Sequence, residues 1–211
     1  GPDRSKFSKR HGAISVIDYK KDYLPEALVN FMGFLGYTYG KEITSKEEMA
    51  KEFDLRKVHK SGAVFDAKKL NLINSQYIKT AEAQKLRELT GIVEIPDKAM
   101  PLITERLEKL SYIQNFDYFW KEPHYDSNLL GWKDFPKDEI RKSLEETRRV
   151  IENWDWKDKE ALGLLLDDLG KKLGDPSTPL GASRGLVYWP FRVALTGIEK
   201  SPDPVEVASV L

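Results

Sequence analysis

Lysine, serine and arginine crowd one short stretch near the start, Lys6-Phe7-Ser8-Lys9-Arg10, preceded by Arg4 and closed by His11 and Gly12. A lysine ammonium is a compact point charge on a flexible stem, suited to following a phosphate whose charge grows during nucleotidyl transfer. Gly12 would let the backbone come close to such a group. By composition alone the stretch equally describes a solvated basic arm. Other chemistry is thinly supplied. The chain has no cysteine, so a thiol nucleophile, a disulfide framework and a Cys-based zinc site are excluded. His11, His59 and His124 lie too far apart for a local metal box, and His59 and His124 have no adjacent carboxylate or serine to form an acid–base pair. No metal site is expected, and acid pairs such as Asp167-Asp168 and Glu145-Glu146 read most simply as solvated helix faces.

The elements that must position these groups belong to a globular chain of 211 residues, 40% hydrophobic and 32% charged. No run approaches the ~20 apolar residues of a membrane span, and no secretory signal opens the chain. The expectation is a cytoplasmic, monomeric protein with no membrane and no DNA partner. Its 34 basic and 34 acidic residues cancel overall but not locally: residues 1–90 carry +5 and residues 91–211 carry −5. The first part is the better polyanion partner by bulk field. The acidic second part is unsuited to strong non-specific nucleic-acid binding, although a few placed arginines could still read bases.

Gly1-Pro2 has the look of what a tag-cleaving protease leaves, and is set aside. Apolar spacing then predicts helices throughout. Pro25 opens a short buried helix that Gly36 stops. A capping box, Thr44 with Glu47 or Ser45 with Glu48, starts another that ends near Phe53. Asp66 caps a third, with an apolar face of Leu70, Ile73, Tyr77 and Ile78. Helix continues from Thr80 to Leu89, broken by Gly91, and Met100 to Trp120 forms one long or two short helices. Pro123 to Gly131 reads as a loop, and Pro136–Trp154 and Lys157–Leu173 as amphipathic helices. A last helix runs roughly from Leu186 to Thr196 before a proline-punctuated tail. The fold class is all-α, with a boundary near residues 90–97.

The Lys6–Arg10 loop resembles the second signature of class I aminoacyl-tRNA synthetases, Lys-Met-Ser-Lys-Ser in consensus form. Further blocks fit one member: Arg4 to Ala13, Tyr23-Leu24-Pro25-Glu26-Ala27-Leu28-Val29-Asn30-Phe31, Phe53-Asp54-Leu55 with Lys60-Ser61-Gly62-Ala63-Val64-Phe65-Asp66, Asn74-Ser75-Gln76-Tyr77-Ile78, and Trp189-Pro190-Phe191-Arg192-Val193-Ala194-Leu195-Thr196-Gly197. Together they resemble bacterial-type glutamyl-tRNA synthetases over nearly the whole chain. The resemblance implies a loop at residues 1–12, a helical stem-contact domain at 13–92, and a helical anticodon-binding domain, an α-helix cage, at 93–211 with a break near 174–180. The helical tail disfavours the glutaminyl relatives, which usually end in β-barrels.

By the same resemblance Lys9 contacts the phosphates of ATP, used with Mg2+ by the full-length enzyme, while Lys6 and Ser8 shape the loop. Phe7 and Arg10 depart from the consensus letters. Arg106 corresponds to an arginine that reads the last anticodon base, and Arg192 with Ser201 and Pro202 to a second base-contacting stretch, where Pro204 replaces a usually large apolar residue. The implied partner is tRNA-Glu. Without the resemblance, Arg106 reads equally as an exposed arginine paired with a neighbouring acid, and Tyr188 and Trp189 as core aromatics. The rival functions are a helical protein–protein interaction module with a basic arm, and a glutaminyl or non-discriminating enzyme. The chain is expected to correspond to the C-terminal half, to bind ATP only feebly and to catalyse nothing alone; measuring ATP–pyrophosphate exchange checks this, and the expected rate is zero.

Overall fold

In a computed structural model, which describes residues 15–155, 158–174 and 180–211, every regular element is helical, and no β-strand occurs among the described residues. The signature loop at Lys6–Arg10 and residues 175–179 of the expected break lie outside the described residues. Among the described residues no helix is long and apolar enough to cross a membrane. Two compact units part between residues 114 and 115.

In the first unit α1 (Val16–Tyr19) is followed by α2 (Pro25–Gly33), whose first position is the proline that needs no N–H partner there. α3 (Lys46–Glu52) takes Ser45 as its cap: Glu48 N donates to Ser45 Oγ at 3.2 Å and Ser45 N to Glu48 Oε2 at 2.9 Å. Thr44 is buried instead, and its N–H goes to Asn30 Oδ1 at 3.1 Å. α4 (Ala67–Thr80) starts on Asp66, which accepts from the N–H groups of Lys68 and Lys69. The helix does not run on to Leu89. Ala81 is extended (ψ 144°), and a separate α5 (Ala83–Thr90) ends at Gly91 in the left-handed region, φ 71°.

The unit boundary also differs from the expected 90–97, because residues 93–114 are tied back to the first unit. Arg87 donates to Ile95 O through Nε (3.2 Å) and Nη2 (2.7 Å) and pairs with Asp97. Asn74, fully buried on α4, accepts from Leu24 N at 2.9 Å and donates through Nδ2 to Asp22 O at 3.0 Å and Glu108 O at 2.7 Å. Leu110 N completes the tie to Asp22 O at 2.9 Å. One carboxamide therefore fastens the start of α2, the middle of α4 and a segment 34 residues further on. The stretch Met100–Trp120 forms neither a long helix nor two ordinary ones: α6 (Met100–Thr104) is a single short piece, and Leu110–Phe119 is a 3-10 segment bent at Phe116.

The second unit packs α7 (Lys137–Glu152), α8 (Lys159–Leu173), α9 (Leu180–Thr196) and α10 (Pro204–Ala208) on one another. Its core contains Trp154, Leu162, Leu166, Val187, Tyr188, Phe191 and Val205. α9 starts six residues before the expected Leu186: its first turns hold Gly181 and Gly185, poor helix formers, and tertiary packing overrides that propensity. A 3-10 turn, Ser127–Leu130, interrupts the expected loop, and the tail folds into α10 on an Asp203 cap that accepts from Val205 N at 2.8 Å.

Pro190 lies inside α9 and has no N–H to give Leu186 O, four residues back. The buried Ser143 hydroxyl of α7 donates to that carbonyl at 2.8 Å and repairs the gap. On the same turn a Cβ at Gly185 would overlap the indole of Trp132, so only glycine lets that ring lie against the helix. Trp132 and Trp189 stack with centroids 5.0 Å apart. Ser143→Ala is expected to cost about 1–3 kcal/mol by stranding the Leu186 carbonyl. Asn74→Ala strands several buried groups at once and is expected to cost at least about 3 kcal/mol. Urea unfolding of each variant measures both.

Candidate nucleic-acid interface

Arg192 stands on the last turns of α9, which closes at Gly197 (φ 73°). The Thr196 hydroxyl donates to Arg192 O at 2.8 Å and receives Ile198 N at 3.3 Å, which ends the helix sharply. The chain then returns past the guanidinium. Nη1 of Arg192 donates to Ser201 O at 2.7 Å, to Pro202 O at 2.8 Å and to Ser201 Oγ at 3.1 Å. Ser201 Oγ in turn donates to Pro202 O at 2.9 Å. Three residues singled out from the sequence, Arg192, Ser201 and Pro202, are thus brought together. Their arrangement carries one unexpected feature: part of the guanidinium is spent on its own chain. Among the described residues the Nε and Nη2 edge has no hydrogen-bond partner.

Arg106 follows α6 in the other unit, between the buried anchors Ile103 and Leu107. Its head is exposed. Nη1 reaches Leu102 O at 3.5 Å and Glu105 Oε2 at 3.3 Å, both long for hydrogen bonds. An exposed pair of this kind contributes little to stability and is easily exchanged for another acceptor. Each unit is described by itself, so the two arginines are placed on their own units only. Lys6, Ser8, Lys9 and Arg10 lie outside the described residues.

Of the two aromatics, Tyr188 belongs to the core of the second unit. Burial pushes its phenol above the ordinary value, in keeping with a neutral hydroxyl that donates to Gly163 O at 3.2 Å. Trp189 is half-buried, donates from Nε1 to Leu129 O at 2.9 Å and carries the Trp132 stack.

One side chain escaped the sequence reading. Arg184 lays its guanidinium over the Tyr188 ring, 4.6 Å from the centroid, while Nε meets Asp167 Oδ1 of α8 at 3.0 Å. Its spacing was the available signal: Arg184, Tyr188 and Arg192 fall at i, i+4 and i+8 of one helix and share a face. Among the described residues no cluster of three or more His, Cys, Asp or Glu side chains could hold a metal ion.

Comparison with known proteins supports the family resemblance and the helical fold. Residues 47–211 match the profile of the anticodon binding domain, and residues 1–72 that of the catalytic domain of class I tRNA synthetases (E and Q). A glutamate–tRNA ligase of Thermodesulfovibrio yellowstonii is 32% identical over 234 residues, covering 100% of this chain and 47% of its own. That of Carboxydothermus hydrogenoformans is 34% identical over 226 residues, covering 100% and 46%. Among solved structures, a glutamate tRNA ligase from Elizabethkingia meningosepticum superposes with a TM-score of 0.76 at 28% identity, over 98% of this chain and 46% of its own. The chain spans about half the length of the curated relatives it matches. With a matching helical fold and the profile running from residue 47 to residue 211, the chain belongs to the anticodon-binding domain family.

Proposed function

We propose that this chain is the tRNA-binding portion of a cytoplasmic glutamate–tRNA ligase that acts as a monomer and joins glutamate to tRNA-Glu as ATP goes to AMP and pyrophosphate. In this reading residues 13–92 serve the stem side of the tRNA and residues 93–211 the anticodon. Lys9 serves the phosphates of ATP with its Mg2+, and Lys6 and Ser8 shape the loop; that loop lies outside the described residues.

The observation that carries the proposal is the turn held by Arg192. A splayed-out base is recognised by flat or rigid surfaces together with hydrogen bonds at its edge. Arg192 supplies both from one place. Its Nη1 holds Ser201 and Pro202 by their carbonyls, and its remaining donors lie beside a proline-stiffened turn. Arg106 fits the same task, having a fixed backbone and a loosely paired guanidinium whose planar donors match a carbonyl edge. The acidic balance of residues 91–211 favours such placed contacts over general attraction to phosphate.

Binding of tRNA-Glu transcripts tests this directly. Arg106→Ala and Arg192→Ala are each expected to weaken binding by about 1–3 kcal/mol and to blunt the response to an altered anticodon. Wild-type preference for tRNA-Glu over tRNA-Gln separates this reading from a glutaminyl or non-discriminating enzyme. Equal affinity for any RNA would instead favour a protein–protein interaction module.

A further inference from the structure

Arg184 is built like a contact residue, although the fold does not need its charge at the surface. Its side chain keeps 57% of its accessible surface, yet the guanidinium lies against two groups of its own unit. One face rests on the Tyr188 ring at 4.6 Å, and Nε is drawn to Asp167 Oδ1 at 3.0 Å. Tyr188 is itself fixed in the core and by its hydroxyl on Gly163 O. An exposed arginine ordinarily keeps its rotamer freedom, and ordering one carries an entropic cost. More than half of the side chain stays accessible to solvent.

Its place on the helix ties it to the Arg192 turn. Eight residues along α9 amount to about 12 Å. Arg184 is already paired with a carboxylate, Asp167 of α8. A cation so paired is a poorer anchor for phosphate, whose binding rests on excess positive charge. It suits an unstacked base, which can lie on a guanidinium plane and meet its donors edge-on.

We propose that Arg184, laid on Tyr188 and held by Asp167, is a second base-recognition residue on α9, taking a different unpaired nucleotide of the anticodon loop from the one at Arg192. The proposal rests on the tRNA-binding reading above and adds a residue and a mode to it.

The test uses the full 211-residue chain and a set of tRNA-Glu transcripts, each with one anticodon-loop base changed, across a range of KCl concentrations. Wild-type protein should show a binding penalty at several positions. Arg184→Ala should weaken binding of the unaltered transcript about fivefold to a hundredfold and erase the penalty at one position, other than the one erased by Arg192→Ala. The slope of affinity against salt should stay unchanged. Arg184→Lys should not restore binding, because an ammonium has no plane to stack. Asp167→Asn keeps the arginine and removes a negative charge, yet should lower discrimination at that same position. Thermal melting shows that each variant is folded. Rescue by lysine together with a shallower salt slope in Arg184→Ala would mean a phosphate contact and overturn the proposal. So would folded Arg184→Ala and Asp167→Asn proteins with every positional penalty intact, while the wild type still prefers tRNA-Glu. A wild type without positional penalties at all would instead overturn the reading of function itself.

Discussion

The second unit depends on how α9 passes Pro190. A proline in the interior of a helix removes a donor and leaves a carbonyl behind it without a partner, which ordinarily kinks or ends the helix. Here the carbonyl is that of Leu186, and Ser143 meets it from α7 across 43 residues of sequence. Two of the three arginines proposed to meet nucleic acid lie on this helix, Arg184 before the proline and Arg192 after it. Their common face exists only because the helix continues through position 190. The backbone that carries them is therefore supported by a hydroxyl on a different helix. Gly185 adds a second outside constraint by admitting the Trp132 ring against the same turn.

The first unit solves a different problem by similar means. Its helices are short, and segments between them must meet without regular hydrogen-bonded partners. Buried carboxamides fill those gaps. Asn74 serves Leu24, Asp22 and Glu108, and Asn30 accepts from Thr44 N and from the Tyr77 hydroxyl. A buried polar group stabilises only where its partners are in place. Asn74, whose partners are all in place, thus selects one arrangement of α2, α4 and the chain beyond residue 105, and Arg106 takes its position from that arrangement.

Local chemistry was legible before any coordinates. The Ser45–Glu48 box and the Asp66 cap start their helices where the residue types require it, and Pro25 occupies the first position of α2. What could not be read is everything decided at long range. The boundary near residues 90–97 looked natural because Gly91 and Pro96 break the helical pattern, but Arg87 and Asn74 reach past that break and keep residues 93–114 with the first unit. The early start of α9 runs against the propensity of its glycines and follows from packing on α8 and α7. At the interface, the grouping of Arg192 with Ser201 and Pro202 was expected from resemblance. The inward turn of Nη1 was not, because side-chain direction depends on where a returning loop places its carbonyls. Arg184 was visible as a spacing but not as a site, since its stack needs Tyr188 and an acid from α8.

The Trp132–Trp189 stack has a spectroscopic side. Two indoles with centroids 5.0 Å apart and planes tilted by 36° couple their electronic transitions, so the second unit carries its own chromophore pair. One ring belongs to the segment before α7 and the other to the helix that bears Arg184 and Arg192, one residue before Pro190. Near-ultraviolet dichroism from this pair reports whether α9 is seated, without any label, in the very part of the molecule where nucleic acid is expected to land.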